Sequence, residues 1–127
     1  MIENTDNSLM NKSLLGLSKA LKLSGYIKQA DVVEGLAKVK KLKTKPHPLV
    51  VKKLGMACSY PGTFESSIHS IINSKSYKGA ILKTIKAGGC NCSRANFVGA
   101  YFAALRGFKN IPAQWIKKTK SAKKIIK

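Results

Sequence analysis

The chain has 127 residues, enough for one small domain or part of a larger one. Its 24 lysines and arginines face only 5 acids, a formal net charge of +19, so any compact form carries a strong positive potential. The longest apolar run, Ala95 to Leu105, is about half of the roughly 20 residues that a bilayer-spanning helix needs, and Met1 to Leu9 has no basic stretch leading into an apolar one. Neither a membrane anchor nor a signal peptide is therefore expected. Cys58, Cys90 and Cys92 are an odd number of cysteines, and the Cys-x-Cys spacing strains a direct disulfide, so reduced thiols in a cytoplasmic setting are the expectation.

In chain order, Ser8 to Leu23 carries Leu9, Leu14, Leu15, Leu17, Leu21 and Leu23 at near-helical spacing, and Gly25 is placed to end that helix. Gln29 to Lys43 repeats the pattern with Ala30, Val32, Val33, Leu36, Val39 and Leu42. Pro46-His47-Pro48 then makes a stiff break, with His47 read as a loop residue. Leu49 to Met56 reads as a short helix closed by Gly55 or running on to Cys58. After the turn Tyr60-Pro61-Gly62-Thr63, Thr63 is expected to cap a helix through Asn73, with Glu65 favourably placed in its first turn. Tyr77 to Ile85 follows, with Ala80, Ile81 and Ile85 inward.

Gly88-Gly89 joins that helix to a nearly all-apolar one. Ala95, Gly99 and Ala103 stand four apart and give it a smooth stripe for a close neighbour, while Phe97, Val98, Tyr101, Phe102 and Leu105 predict a position at the centre of a bundle. Gly107 reads as its C-cap. Pro112 starts a last short helix that folds Trp115 and Ile116 back on the core, and the basic segment from Lys117 is expected to fray. No strand pattern or repeat is present. The fold class is all-α, a helical bundle, divided into an N-terminal helical pair (1–45), a main helical region (46–120) and a basic tail (121–127).

The stretch whose shape implies a site is Gly88-Gly89-Cys90-Asn91-Cys92-Ser93-Arg94. A Gly pair permits backbone that other residues resist, and the helix that follows presents free N–H groups to whatever lies ahead of it. All seven residues, Gly88, Gly89, Cys90, Asn91, Cys92, Ser93 and Arg94, are candidate ligand-binding residues. Arg94 is suited to pair a phosphate or a carboxylate, or is an ordinary surface arginine. Cys90 and Cys92 form too sparse a pattern for a zinc site unless Cys58, His47 or His69 joins them, and two small buried or half-buried thiols are the plainer reading. A helix N-terminus beside Arg94 would also make either thiol reactive. His69, within a helix, reads as a packed or surface histidine rather than a base.

The order Gly-Gly-x-x-x-Ser, a small-residue helix, Gly107 and then Ile111-Pro112-Ala113-Gln114-Trp115 resembles the C-terminal end of the ADP-ribosylglycohydrolase superfamily over roughly Pro46 to Lys120. The Cys-Asn-Cys-Ser-Arg version resembles its crystallin-J and selenoprotein-J branch. The resemblance implies a C-terminal fragment of a larger all-helical fold. In the hydrolases of the family the Gly pair precedes Asp-Thr-Asp-Thr, which helps hold two magnesium or manganese ions. Those positions are here Cys90, Asn91, Cys92 and Ser93. The only acids are Glu3, Asp6, Asp31, Glu34 and Glu65, so nothing like the family's N-terminal acidic motif is present.

No metal is therefore expected and no catalytic residue is assigned. The expected function is a truncated, crystallin-J-like member of the family without hydrolase activity by itself, with an ADP-ribose-like ligand and a protein partner covering an exposed apolar face as its implied contacts. Two alternatives are part of an active hydrolase whose N-terminal portion is missing, and a helical protein binding nucleic acid non-specifically through its lysines.

Overall fold

A computed structural model describes residues 2–38 and 44–126, with side chains from Ser8 onward. Among the described residues there is no strand. The helices are α1 (Ile2–Leu23), α2 (Ile27–Lys38), α3 (His47–Leu54), α4 (Gly62–Ile72), α5 (Tyr77–Lys86), α6 (Asn91–Arg106), α7 (Ala113–Lys118) and α8 (Ala122–Ile125), with a 3-10 turn at Phe108–Asn110 between α6 and α7. The all-α expectation holds. The sequence-predicted positions Val39 to Lys43 of the second helix lie outside the described residues.

The first two helices form an antiparallel pair. Gly25, at φ 82°, turns the chain out of α1, and the Tyr26 N–H donates back to the Leu21 carbonyl at 2.9 Å. The face of α1 turned to the core is Met10, Leu14 and Ser18 with Leu21 half-buried, a spacing of four, four and three. Leu9, Leu15, Leu17 and Leu23 are exposed. The leucine pattern thus marks α1 correctly as a helix but overstates its buried face, because α2 covers only one stripe. Ser18 Oγ donates to the Ala30 carbonyl at 3.1 Å where the two backbones come close, and Lys22 pairs with Glu34 at 2.6 Å on the rim.

The enclosed centre is α4 rather than α6. Ser66, Ser67, Ile68, His69, Ser70 and Ile71 are six consecutive buried residues, so this helix is surrounded on all sides. Its serines are tolerated there because each hydroxyl finds a carbonyl: Ser66 Oγ on Gly62 at 2.7 Å, Ser67 Oγ on Thr63 at 2.7 Å and Ser70 Oγ on Ala80 at 3.2 Å. Thr63 does not cap α4. Pro61 occupies the N-cap position, and the Thr63 hydroxyl instead ties the helix to the preceding loop through the Ala57 carbonyl at 2.9 Å.

Next to it, α5 is capped by Ser76, whose Oγ accepts from the Gly79 N–H at 3.1 Å, and packs inward through Ala80, Ile81 and Thr84. Ile85 is not inward but 49% exposed, because it lies off the stripe that meets α4 and α6. α6 buries Arg94, Val98, Gly99 and Phe102, one face only, and leaves Phe97 41% exposed. The small-residue stripe works at Gly99, where an added Cβ would stand 3.3 Å from the Tyr77 hydroxyl.

Met10, Leu14, Val33, Leu36, Ile68, Ile71, Ala80, Ile81, Val98 and Phe102 form one continuous cluster. It thus joins the N-terminal pair to the rest. Gly107 ends α6, and Trp115, half-buried, meets the Tyr77 ring edge-on at 6.1 Å. Residues 122–125 add a helical turn to the basic tail.

Phe102→Ala is expected to cost about 3–5 kcal/mol of unfolding free energy, and Ser76→Ala about 1 kcal/mol through the lost cap. Denaturant titration followed by circular dichroism measures both. Equal losses would contradict this placement of the core.

Candidate functional site at the start of helix six

The loop between α5 and α6 is built by its two glycines. Gly88 and Gly89 take φ values of 75° and 68° in succession, a left-handed pair that side chains with a Cβ disfavour. The second reason is contact. A Cβ on Gly89 would stand 2.5 Å from the Met56 carbonyl oxygen and 2.7 Å from Met56 Cβ. The segment after α3 therefore lies directly on the loop, and the Cys90 N–H donates to the Met56 carbonyl at 2.7 Å.

Beyond this contact the chain enters α6 with Cys90 as the N-cap residue, at φ −72° and ψ 83°. Its thiol reaches Ser93 Oγ at 3.3 Å and Cys92 Sγ at 3.6 Å. Ser93 is the largest cause lowering the Cys90 pKa from its usual value to about 7, with Cys92 and Cys58 adding to the effect. Cys92 and Cys58 are exposed and Cys90 is half-exposed. A groove of ≈ 400 Å³ between α4 and α6 begins here, with Cys58 and Ser93 at one end and Phe64, Phe97 and Ala100 along it. The Phe64 and Phe97 rings meet edge-to-face at 5.4 Å.

Arg94 is not a surface arginine; it is fully buried. Its Nη2 donates to the Gly88 carbonyl and to Asn91 Oδ1, the latter at 3.2 Å, so the guanidinium braces the loop from beneath. Arg94 Nε and Nη1 have no hydrogen-bond partner among the described residues. The seven sequence-predicted residues thus divide by role. Gly88, Asn91 and Arg94 are engaged with one another, Gly89 and the Cys90 amide hold Met56, and the Cys90, Cys92 and Ser93 side chains form a polar cluster at the head of α6. Met56 is the partner that sequence reasoning missed. No local pattern marks it, because it meets the loop mainly through its backbone and Cβ at Gly89, with its Cε reaching Gly88.

The two histidines do not approach the thiols as zinc partners. His47 is the first residue of α3 and 4% exposed, not a loop residue, and its Nδ1 lies 2.9 Å from His69 Nδ1, the rings stacked at 5.1 Å. A bond between two Nδ1 atoms holds a single proton, so one ring donates and the other accepts. Among the described residues, no group of three or more His, Cys, Asp or Glu stands close enough to hold a metal ion. Burial above all, then the neighbouring His69, Lys83 and Arg94, pushes the His47 pKa from 6.5 down to about 4.

Two outcomes follow from this geometry. Gly89→Val should lower the melting temperature far more than Cys90→Ser, because the first collides with the Met56 backbone and the second changes only an exposed cluster; differential scanning calorimetry on both variants tests it. For His47, the unfolded chain binds a proton below about pH 6.5 that the folded chain refuses until about pH 4. Stability contributed by the neutral ring is therefore present above the unfolded value and is lost as pH falls through this window. His47→Gln should flatten that part of the stability profile, and an unchanged slope would show that other groups control it.

Comparison with known proteins identifies the family. The ADP-ribosylglycohydrolase family matches residues 7–127. Crystallin J1A of Tripedalia cystophora is 40% identical over 76 residues, which are 60% of this chain and 24% of that protein. Crystallin J1B of the same animal is 32% identical over the same shares. The matched region therefore spans about a quarter of the length of these curated relatives. No solved structure matches. No described helix is long and apolar enough to cross a membrane. With the family matched over nearly the whole chain, the chain belongs to the ADP-ribosylglycohydrolase family.

Proposed function

We propose that this chain is a crystallin-J-like member of the family that contacts an ADP-ribose-like ligand through the loop at the head of α6 and does not by itself cleave an ADP-ribosyl bond. The observation that carries this reading is the donor set. Where hydrolases of the family place Asp-Thr-Asp-Thr, this chain has Cys90, Asn91, Cys92 and Ser93. A pair of magnesium or manganese ions does not fit these residues. Hard divalent cations take oxygen ligands in near-octahedral array, whereas the cluster offers two thiols and a hydroxyl already bonded to one of them. The Asn91 oxygen is held by the Arg94 guanidinium, which also places a fixed positive charge beneath the loop.

A positive loop suits an anionic ligand. The φ-positive glycine pair, the head of a 16-residue helix and the buried Arg94 together favour the diphosphate of an ADP-ribose-like molecule. A second reading, that this chain is part of a longer active hydrolase, is favoured by Arg94 Nε and Nη1, two buried donors without partners that a carboxylate from another part of such a protein would satisfy.

Calorimetric titration of ADP-ribose, with and without magnesium or manganese and at two salt concentrations, tests the first reading. Saturable binding that ignores the metal, with no product released from an ADP-ribosylated substrate, is the expected result. Metal-dependent saturation with turnover would overturn it. Weak binding that vanishes with salt would assign the interaction to the lysine-rich surface instead.

A further inference from the structure

We propose that Cys90 and Cys92 are a redox-active dithiol that exchanges with small-molecule disulfides of the glutathione type, Cys90 attacking and Cys92 resolving. This goes beyond the proposed function and does not depend on it. The spacing alone argues against such a pair, since residues two apart on a helix face different directions. Cys90, however, stands outside the helical spiral. As the N-cap residue, with non-helical ψ, it turns its side chain back over the first turn and brings Sγ to 3.6 Å from Cys92 Sγ. Closing to a bonded distance of about 2.05 Å needs a shift of only about 1.5 Å, within the reach of side-chain torsions.

Access and charge favour the same chemistry. Cys92 is exposed and Cys90 half-exposed, so a small disulfide reaches both sulfurs. The attacking sulfur sits at the head of α6, where the helix dipole and the Ser93 hydrogen bond stabilise a thiolate. In agreement, the Ser93 hydrogen bond lowers the Cys90 pKa to about 7.

The exchange balances in two steps. The Cys90 thiolate attacks one sulfur of the small disulfide, forming a Cys90 mixed disulfide and releasing one thiolate. Cys92, losing its proton to solvent, then attacks Cys90 Sγ. The Cys90–Cys92 bond forms, and the second small thiolate leaves. The protein dithiol is oxidised by two electrons and the small disulfide is reduced to two thiols.

Incubation of the reduced full chain with oxidised glutathione, followed by intact mass and peptide mapping, tests the proposal. The expected product has lost two hydrogens and carries a Cys90–Cys92 crosslink. Cys92→Ser should stop at the Cys90 mixed disulfide, and Cys90→Ser should slow the reaction about tenfold. Competitive alkylation of the unaltered chain gives a readout independent of any variant. Cys90 should label about tenfold faster than Cys58 at neutral pH. A predominant crosslink to Cys58, stable mixed disulfides on both thiols of the unaltered chain, or equal alkylation of Cys58 and Cys90 would overturn it.

Discussion

The fold depends on a helix that cannot reach water. α4 is buried through six consecutive residues, four of them polar, so every hydroxyl and imidazole it carries must be answered inside the protein. The answers fix its neighbours. Ser70 bonds to the Ala80 carbonyl and to Thr84 Oγ1 at 3.0 Å, which sets α5 against it, and His69 meets His47, which brings the start of α3 to the same surface. α6 closes the remaining side through Val98 and Phe102, within the same apolar cluster as Ile68 and Ile71.

That arrangement explains why the loop at residues 88–90 is so tightly made. α5 and α6 both pack on α4, so the connection between them must reverse direction in a few residues while passing beneath the segment that links α3 to α4. Two successive glycines at positive φ accomplish the reversal, and the Met56 carbonyl lies in the space that a Cβ at Gly89 would fill. Arg94 fills the space behind. Its guanidinium bonds the loop it supports, which converts a flexible Gly-Gly element into a braced one.

The cluster at the head of α6 then follows from chemistry rather than backbone. In this place oxygen-rich side chains would gather hard cations, whereas thiols gather neither magnesium nor manganese but do share protons and electrons. The same helix terminus that would favour carboxylate charge favours thiolate charge. The two proposals, anion recognition by the loop and redox exchange by the thiols, would draw on one electrostatic source, the head of α6 with a buried arginine beneath it.

The order of helices, the glycine loop, the Gly107 stop and the family resemblance were all legible in the sequence, because apolar periodicity, glycine and proline act over a few neighbouring residues. Which helix becomes the centre was not. The run Ser66-Ser67-Ile68-His69-Ser70 reads as polar; Ser66 and Ser67 are answered by carbonyls one turn back in α4, while Ser70 and His69 also draw on α5 and α3, and the apolar Phe97 and Ile85 remain outside. His47 between two prolines and Arg94 at a helix start look like surface residues for the same reason. The partner of His47 is 22 residues away, whereas Arg94 is buried on the nearby Gly88 carbonyl and Asn91 side chain. The sequence by itself determined most of the helical segments, but not the start of α3 at His47 or the helical turn at residues 122–125, in the basic segment expected to fray. Tertiary structure alone decided which helix is enclosed and which polar groups face inward, because burial depends on how the helices pack around one another.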